Sequence, residues 1–432
     1  MVTWENWGRS VSAEPSEVVV PAAVRGVQDA VERARAAGMT AKPVGSGHSF
    51  SPVAHTDGIQ LDVSALEGIL ALDVERRRVT LGAGTRLWQI GDLLASYGLA
   101  LENMGDIDRQ TLAGATSTGT HGTGLRFASI GSNIVAATLV TGTGEILHVS
   151  EHERPELLPA VRLGLGALGV LVDVTLQCVP AFVLDAVEHN EPFEATLDSW
   201  RDRVETVDHF EFHWFPHADV VCAKTNTRRP PGKTRPLGPA RRFVEDELLG
   251  NRAWLALCEL GMRVPSTTTR ISRLAASLMG GREFSDRSDR VFVTSRGVRF
   301  QEMEYAVPLD AMPSALREIR AMMARTGLQV TFPLEVRAAA PDDAMLSTAF
   351  GRETAYVALH RYWREDPTTY FREAERILVD HDGRPHWGKM HTRDANFFAE
   401  RLPRFADFLA VRDELDPDRV FANVYTHQVL GD

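Results

Sequence analysis

Apolar positions in the first 180 residues follow two spacings, which together predict short strands mixed with helices. Val24, Val27, Val31 and Ala34 have helical spacing, and Gly38 follows them as a stop. The region further predicts a strand-like AKPV (41–44), strands over 59–64 and 77–84, a helix over 87–98 ending at Gly98, a hairpin over 134–150 and a strand over 170–179. The pattern is α+β, because a doubly wound parallel sheet needs strict strand–helix alternation.

The pattern changes after Pro180. Longer strands and helices follow, and they carry more aromatic residues, as in FEFHWF (210–215). Beyond about Ala399 the chain returns to small motifs such as DPDRVFANVY, which predict a segment that folds back on the first region. We therefore expect two domains, as a length of 432 residues already favours.

The composition is typical of a soluble globular protein, with 44% hydrophobic and 24% charged residues. With 47 Lys and Arg against 58 Asp and Glu, the net charge is −11, which argues against nucleic acid as the main partner. No uninterrupted apolar run reaches the length of a membrane span. Cys178, Cys222 and Cys258 are odd in number and widely spaced, which predicts neither disulfides nor a metal site. The start MVTWENWGRS does not resemble a signal peptide, and we expect a cytoplasmic, enzyme-sized protein.

One segment, RRPPGKTRPLGPARR (228–242), is rich in proline, glycine and basic residues. It is interpreted either as a solvated, mobile loop or as a docking site for an anionic partner. The sequence leaves both interpretations open.

The segment GLGALG (164–169) matches the dinucleotide-binding fingerprint G-x-G-x-x-G, yet a helix-like segment precedes it and a strand follows. The fingerprint requires the order strand, loop and helix, so that a pyrophosphate meets a helix N-terminus. We therefore interpret GLGALG as a close-packed turn.

Two other tracts of small residues have a different character. GSGHS (45–49) follows a strand-like segment, and AGATSTGTHGTG (113–124) offers a run of backbone N–H groups with almost no side-chain bulk. Such a run can wrap a pyrophosphate as an anion-binding nest, although a single glycine-rich loop is often only a turn. Each tract contains a histidine, His48 or His121, and the two together favour a cofactor site.

Four motifs, in order along nearly the whole chain, resemble the aldonolactone oxidase and alditol oxidase branch of the vanillyl-alcohol-oxidase flavoproteins. They are GSGHS, NMGDIDRQTLAGATSTGTHGTG (103–124), RPHWGKMH (384–391) and VFANVY (420–425). The resemblance implies an FAD-dependent oxidoreductase that acts on CH–OH groups. It also implies an FAD-binding domain of two α+β subdomains (1–180), an α+β substrate-binding cap domain with a central antiparallel sheet (181–398) and a C-terminal segment returning to the FAD domain (399–432).

The resemblance implies covalent FAD. In relatives with GSGHS, the histidine matching His48 is bonded through a ring nitrogen to the 8α-methyl of the flavin, and the neighbouring glycines let the backbone lie against the cofactor. The motif alone also allows a histidine that caps a turn. The implied FAD-binding residues are Pro43, Val44, Gly45, Ser46, Gly47, His48, Ser49, Gly105, Asp106, Thr111, Gly114, Ala115, Thr116, Ser117, Thr118, His121, Gly122, Val170 and Lys389.

A flavin oxidase needs a cation near flavin N1, where negative charge develops. Lys389 in HWGKMH matches the family lysine that contacts flavin and substrate, with a surface lysine as the alternative. FPLEVRAAA (332–340) predicts a buried strand with Glu335 and Arg337 on one face. The family has a Glu-x-Arg pair at this place that holds the substrate. Pairs of this kind also occur on ordinary sheets without any function. The implied catalytic residues are Lys389, Glu335 and Arg337, and the implied substrate-binding residues are Asp106, Glu335, Arg337, Tyr362, His386 and Lys389, with His360 beside Tyr362.

Two neighbouring residues bear on substrate and acceptor. The residue matching Gly105 lies near flavin C4a in this family, and glycine there favours an oxidase that uses O2 and makes hydrogen peroxide. A dehydrogenase using a cytochrome or quinone would have nearly the same sequence. Asp106 departs from the serine frequent in alditol oxidases, and Lys389-x-His391 is similar to lactone oxidases. We expect a gulono-, galactono- or arabinono-type 1,4-lactone as substrate, with a xylitol- or sorbitol-type alditol as the alternative.

A metalloenzyme is the competing hypothesis from another class, because His381, His386 and His391 recur every five residues. Five-residue spacing places successive side chains about 140° apart on a helix and on alternating faces of a strand. No cysteine or carboxylate cluster completes a site around them. We therefore expect no metal.

Overall fold

The computed structural model describes residues 3–294 and 296–432; Met1 and Val2, at the start of the predicted 1–180 domain, lie outside these ranges. The strands of the N-terminal part are Trp4–Glu5 (β1), Ser12–Ala13 (β2), Glu17–Val19 (β3), Ala41–Val44 (β4), Ile59–Asp62 (β5), Ile69–Asp73 (β6), Arg78–Gly82 (β7), Leu99–Ala100 (β8), Ile134–Val140 (β9), Ile146–Ser150 (β10), Val170–Gln177 (β11) and Val179–Pro180 (β12). Its α-helices are Val24–Ala36 (α1), Leu87–Ala95 (α2), Leu112–Ser117 (α3) and Leu158–Val161 (α4), with 3₁₀ turns at Pro52–Ala54, Val63–Ala65, Ile130–Asn133 and Pro155–Leu157.

Two sheets organise this part. The order β3-β5-β4 forms a parallel sheet, and β10-β9-β11-β7-β6 forms an antiparallel one. Helix α1 lies between β3 and β4 in the chain, which supplies the crossover that parallel strands require. It buries Val27, Ala30, Val31 and Ala34 in the core beneath the parallel sheet. The buried face is the one predicted from the apolar spacing.

The second part builds an eight-stranded antiparallel sheet in the order β16-β13-β15-β14-β18-β19-β17-β20. Its strands are Val183–Pro192 (β13), His209–Trp214 (β14), Val220–Arg229 (β15), Arg282–Arg287 (β16), Phe300–Pro308 (β17), Leu334–Ala339 (β18), Thr354–Tyr362 (β19) and Arg384–Pro385 (β20). Its helices are Phe193–Asp198 (α5), Trp200–Thr206 (α6), Pro239–Arg242 (α7), the π-helix Phe243–Ala253, Trp254–Arg263 (α8), Thr268–Leu278 (α9), Ser288–Phe292 (α10), Met312–Thr326 (α11) and Thr368–Asp380 (α12), with 3₁₀ turns at Pro265–Thr267 and Leu309–Ala311.

Alternation along the strands gives this sheet one apolar and one charged face. Glu211 pairs in register with Arg337, and His213 pairs with Glu335, so these four side chains share a face. The residues that alternate with them along the strands belong to a core shared with α11 and α12. They are Phe210, Phe212, Leu334 and Val336. The charged face therefore points away from this core, and its Arg337 contacts Asp106 of the N-terminal part.

The C-terminal helices Ala395–Arg401 (α13), Phe405–Leu415 (α14) and Val424–Leu430 (α15) pack against the N-terminal part. The side-chain amide of Asn423 donates to the backbone carbonyls of Pro52, Val53 and His55 at 3.1, 3.1 and 2.9 Å. The backbone N–H of Ala41 also donates to the Val420 carbonyl at 2.8 Å. The predicted domain limits 1–180, 181–398 and 399–432 remain a prediction.

Most predicted elements are present with shortened ends. The strand predicted over 59–64 stops at Asp62, because the Asp62 carboxylate accepts from the Ser64 N–H at 2.9 Å and starts a 3₁₀ turn. The helix predicted over 87–98 ends at Ala95, and Gly98 takes a φ of +67° in the following turn. None of the described helices is both long enough and apolar enough to cross a membrane. The cytoplasmic location remains a prediction.

Candidate active site

A cleft in the N-terminal part is lined by both glycine tracts. Residues 43–49 line it together with Thr111, Gly114, Ser117 and Thr118. Gly45 packs against Thr111 so closely that an added Cβ would collide with the threonine hydroxyl. Gly47 has a φ of +65°, which favours glycine. Small residues at these positions therefore let the two tracts approach each other and border one cleft, here called the cofactor cleft.

The turn 164–169 also lines the cofactor cleft, through Gly164, Leu165, Gly166, Leu168 and Gly169. Its interpretation as a turn agrees with φ values of +54° at Leu165 and +58° at Gly166, but its contribution to the cleft was not predicted. Buried Lys42 holds the turn in place. Its ammonium group donates to the carbonyls of Leu165, Gly166 and Phe421 at 3.3, 3.2 and 3.0 Å.

Some residues assigned to FAD by resemblance do not present a side chain to the cofactor cleft. The side chains of Ala115, Thr116 and Val170 are buried in the protein core. Gly105 and Gly122 lie where an added Cβ would crowd backbone carbonyl oxygens. Their contact with FAD remains a prediction.

His48 lies where the cofactor cleft meets a second cleft between the two parts of the chain. Its ring stacks on Trp7, with the ring centroids 5.6 Å apart. Burial, followed by the charges of Lys389, Arg86 and Arg109, lowers the pKa of His48 to about 4. The imidazole is therefore neutral near pH 7 and keeps a nitrogen lone pair available for a covalent bond.

Lys389 pairs with the charged face of the sheet and lies close enough to His48 to lower the pKa of that ring, but it lines a separate cleft with Phe50 and His391 rather than the cofactor cleft. Its Nζ lies 2.5 Å from Oε2 of Glu302 on β17 and 5.3 Å from the centroid of the Phe50 ring. Burial lowers the pKa of Lys389, but the carboxylates of Glu302 and Glu304 outweigh it and hold the pKa above its usual value. Lys389 is therefore a cation near neutral pH.

Charged groups from both parts of the chain meet beside Glu335. Asp106 of the N-terminal part pairs with Arg296 at 2.5 Å and with Arg337 at 3.3 Å. Arg337 also contacts Glu335 and, at 3.3 Å, Glu211. Arg296 lies 3.9 Å from Glu335. These ion pairs position the Glu335–Arg337 pair against the N-terminal part, next to the cleft that contains His48.

The two carboxyl groups of this cluster have opposite pKa shifts. Burial raises the pKa of Glu335 to about 7, against the opposing effect of Arg337. Burial also acts on Asp106, but Arg296 and Arg337 outweigh it and hold the pKa of Asp106 well below its usual range. Carboxyl groups whose pKa values are pushed apart are typical of acid–base sites. Asp106 is a fixed anion, and Glu335 exchanges a proton near neutrality.

His360 and Tyr362 lie on β19, the neighbour of the Glu335 strand. His360 pairs in register with Glu302, and its Nδ1 donates to the Pro333 carbonyl at 2.8 Å. The Tyr362 hydroxyl donates to Glu259 on α8, and Tyr362 lines neither of the two clefts. Its role as a substrate contact remains a prediction.

The three histidines at five-residue spacing lie in different surroundings. His381 contacts Glu318, His386 contacts the Gly119 carbonyl, and His391 contacts the Tyr425 hydroxyl. His386, predicted as a substrate contact, is buried, and burial lowers its pKa to about 4.

A different group, His121, Glu304 and His386, brings possible metal-ligand atoms within 4.8 Å of one another. Its hydrogen bonds oppose metal binding. The Gly388 N–H donates to Nδ1 of His386 at 3.1 Å, so the proton of His386 sits on Nε2 and leaves no lone pair there. We interpret the group as a buried histidine–carboxylate pair, with Nε2 of His121 3.4 Å from Glu304.

Several members of the site were not identified from the sequence. Glu302 and Glu304 alternate with apolar residues in FQEMEYAVP, and Glu211 does so in FEFHWF. A charged residue at every second position of an apolar strand is the signal that could identify them, as it does in FPLEVRAAA. Nothing local marks Arg296, which reaches Asp106 only through the tertiary fold.

Comparisons with known proteins cover both parts of the chain. A profile described as "FAD binding domain" matches residues 15–150. A profile described as "D-arabinono-1,4-lactone oxidase" matches residues 174–429, which is more than half of the chain.

Relatives and solved structures extend over the full length. The L-gulono-1,4-lactone dehydrogenase of Mycobacterium tuberculosis is 42% identical over 428 residues, which cover 99% of each chain. The L-gulonolactone oxidase of Bos taurus is 32% identical over 438 residues, covering 99% of this chain and 98% of the relative. Cholesterol oxidase from Brevibacterium sterolicum shares 16% identity, with a TM-score of 0.83 over 99% of this chain and 96% of that chain. The last likeness shows the fold alone and confirms the α+β class.

Proposed function

This chain belongs to the D-arabinono-1,4-lactone oxidase family and is an FAD-dependent oxidoreductase, and we propose that it oxidises a sugar 1,4-lactone at a CH–OH group. The cluster of Asp106, Arg296, Glu335 and Arg337 carries the proposal, because it offers both carboxylates and guanidinium groups beside the cleft of His48. A polyhydroxylated lactone has hydroxyl groups that can donate to the carboxylates and oxygen atoms that can accept from the guanidinium groups. Residues 1–180 and 399–432 would hold the cofactor and residues 181–398 the substrate.

The cofactor cleft fits FAD, since it is bordered by small residues of both tracts and contains a neutral histidine. The anion-binding run predicted in 113–124 is not free in this structure, because the N–H groups of Ala113, Gly114, Ala115, Gly119 and Thr120 donate within the protein. Residues 43–49, Thr111, Gly114, Ser117 and Thr118 would hold the cofactor. When bound, FAD accepts the hydride that leaves the carbinol carbon.

The side chains of the chain itself then have separate roles in the proposal. Arg337 donates hydrogen bonds to substrate oxygens and orients the reacting carbon. Glu335, as a carboxylate, takes the hydroxyl proton, because its pKa of about 7 suits a base near neutral pH. Lys389 supplies a fixed positive charge where negative charge develops during reduction.

We also propose that FAD is bonded covalently to His48. The supporting features are the position of His48 at the junction of the two clefts and its neutral ring. The two flanking glycines, Gly45 and Gly47, allow close packing at this junction, since an added Cβ would meet Thr111 at the first and Trp4 at the second.

Asp106 favours a lactone over an alditol in this proposal. The ground is its departure from the serine frequent in alditol oxidases: the Asp106 carboxylate pairs with Arg296 and Arg337, so a serine here would remove one negative charge from the pocket. A substrate panel tests the choice: gulono-, galactono- and arabinono-1,4-lactone against xylitol and sorbitol, each mixed anaerobically with the enzyme. Lactones are expected to bleach the flavin absorbance. Rapid bleaching by the alditols with no response to any lactone would refute the lactone proposal.

For the acceptor we propose O2, because the resemblance places Gly105 near flavin C4a, where a glycine favours O2, and Lys389 supplies the positive field that a developing superoxide needs. A dehydrogenase is the second candidate. An added Cβ at Gly105 would lie 3.1 Å from the His121 carbonyl oxygen, so the glycine also has a packing reason, and the relative at 42% identity is named a dehydrogenase. Mixing reduced enzyme with aerated buffer distinguishes the two acceptors. Reoxidation of the flavin within one turnover time supports O2. Flavin that stays bleached until an artificial acceptor is added supports the dehydrogenase.

A further inference from the structure

Half of the large, exposed hydrophobic side chains of the described chain lie within residues 243–278. These nine of eighteen are Phe243, Val244, Leu248, Leu249, Leu255, Leu260, Val264, Leu274 and Leu278, each at least 43% exposed. A soluble surface carries such side chains singly, whereas a concentration of them marks an interaction surface. This stretch is 36 of 432 residues, so the concentration is far above an even spread.

The exposed apolar side chains share faces of neighbouring helices. The π-helix has i→i+5 hydrogen bonding, which brings Phe243 next to Leu248 and Val244 next to Leu249. On α9, Leu274 and Leu278 are four residues apart on the exposed side.

The π-helix also lies close to the chain that directly follows α9. The Arg241 guanidinium donates to the Gly281 carbonyl, just after α9, at 3.3 Å. Arg282 pairs with Glu245 and Asp246 of the π-helix, both at 3.2 Å. The apolar faces of the π-helix and of α9 therefore lie in one region of the surface.

The same region is basic within an acidic protein. Residues 228–279 contain ten Lys and Arg and four Asp and Glu, a net charge of +6, whereas the whole chain carries −11 and the remainder −17. Lys233, Arg252 and Arg270 are exposed, and no carboxylate of the described residues lies within 4.0 Å of them. These cations are available to a partner. Residues 228–279 are called the apolar–basic surface below.

We propose that the apolar–basic surface docks the enzyme on anionic phospholipid membranes. Basic side chains would contact lipid phosphates while the apolar side chains enter the boundary between headgroups and acyl chains. An acidic protein would match the charge as well, and the vesicle experiment below separates it from a membrane. A second copy of this chain would bring a net +6 against a net +6.

Docking would have a consequence for the clefts. Leu237 and Arg242, both in the apolar–basic surface, line the cleft that also contains His48. The mouth of that cleft would therefore lie beside the membrane. The docking proposal does not depend on the substrate or the acceptor proposed above.

Co-sedimentation of the FAD-loaded enzyme with lipid vesicles tests the docking. The wild type is expected to bind vesicles of phosphatidylcholine and phosphatidylglycerol in equal parts, to bind pure phosphatidylcholine far less, and to dissociate at about 1 M salt. Phe243→Ser/Leu248→Ser should lower binding more than tenfold because it removes buried apolar area. Lys233→Glu/Arg252→Glu should lower binding at least 25-fold, or about fivefold per cation removed.

Two matched controls lie outside the surface. Leu70→Ser replaces a leucine that is 60% exposed on β6, and Arg372→Glu reverses an exposed cation on α12. Both should bind as the wild type does, and all variants should keep their flavin and their turnover with a small soluble acceptor. Absence of binding to phosphatidylglycerol vesicles would overturn the proposal. So would wild-type binding by Phe243→Ser/Leu248→Ser, which would favour an acidic protein partner, or a dimer in light scattering that only this variant abolishes, which would favour a second copy.

Discussion

Nζ of Lys389 lies 2.5 Å from Oε2 of Glu302, and this ion pair joins the segment after β20 to the charged face of the eight-stranded sheet. The pair is fixed by the backbone, since the Met390 N–H donates to the Glu302 carbonyl at 2.9 Å and the Lys389 N–H to the His386 carbonyl at 3.0 Å. A lysine held in this way is a preorganised charge, which stabilises developing negative charge without reorganising.

Lys389→Met is expected to give a folded, yellow protein whose flavin is reduced about 10²–10³-fold more slowly by substrate, because a positioned charge is lost. Stopped-flow absorbance under anaerobic conditions measures the rate. Lys389→Arg retains the charge and should recover part of it. Reduction at the wild-type rate in Lys389→Met would remove this lysine from the mechanism.

The neutral His48 ring predicts a stable flavin–protein bond. After acid precipitation, yellow and fluorescent flavin should remain on the wild-type polypeptide and should be absent from that of His48→Ala. His55→Ala is the control, since His55 follows the same loop but lies outside both clefts. Complete release of flavin from the denatured wild type would show that FAD is not covalently bound.

The pKa of Glu335, about 7, predicts a pH dependence of kcat/KM. Glu335 is protonated below this value and is a carboxylate above it, so kcat/KM should rise with pH and level off above about 7. Glu335→Gln should lose this rising limb of the pH profile together with most of the activity. Asp106→Asn should move the limb to lower pH, because the Asp106 charge raises the pKa of Glu335. A limb that persists in Glu335→Gln would belong to another group.

Lys42 predicts a pH-dependent stability. Burial lowers its pKa from 10.5 to about 7, so between these values the unfolded state binds a proton that the folded state lacks. The contribution of Lys42 to the free energy of unfolding is therefore complete above about pH 10.5 and is lost as the pH falls towards 7. Lys42→Met should abolish this slope.

At about pH 10.5, where the Lys42 contribution is complete, the same substitution should lower the free energy of unfolding by about 2 kcal/mol, since buried carbonyls lose their donor. Urea unfolding at pH 7, pH 9 and about pH 10.5 measures both effects, with Lys233→Met as an exposed-lysine control. Equal slopes in Lys42→Met and the wild type would contradict the assignment to Lys42.

Local patterns were sufficient for the elements and for the parts of the site that depend on short spacings. Helix α1 begins and ends close to its predicted limits because its four buried residues follow the helical period. Glu335 and Arg337 share a face because side chains alternate along any strand. Gly45 and Gly47 were recognisable because only glycine tolerates their close contact and positive φ.

Only the tertiary structure decided which charges meet. Asp106 and Arg296 are 190 residues apart, and Lys42 reaches a carbonyl 379 residues away. Such contacts depend on the order of strands in the sheet and on how the two parts of the chain pack. Neither can be read from the local spacing of apolar residues. The pKa of Glu335 follows the same rule, because burial and charged neighbours set it after folding. The sequence by itself therefore determined which residue types were present on which faces, and the fold determined their partners and their protonation.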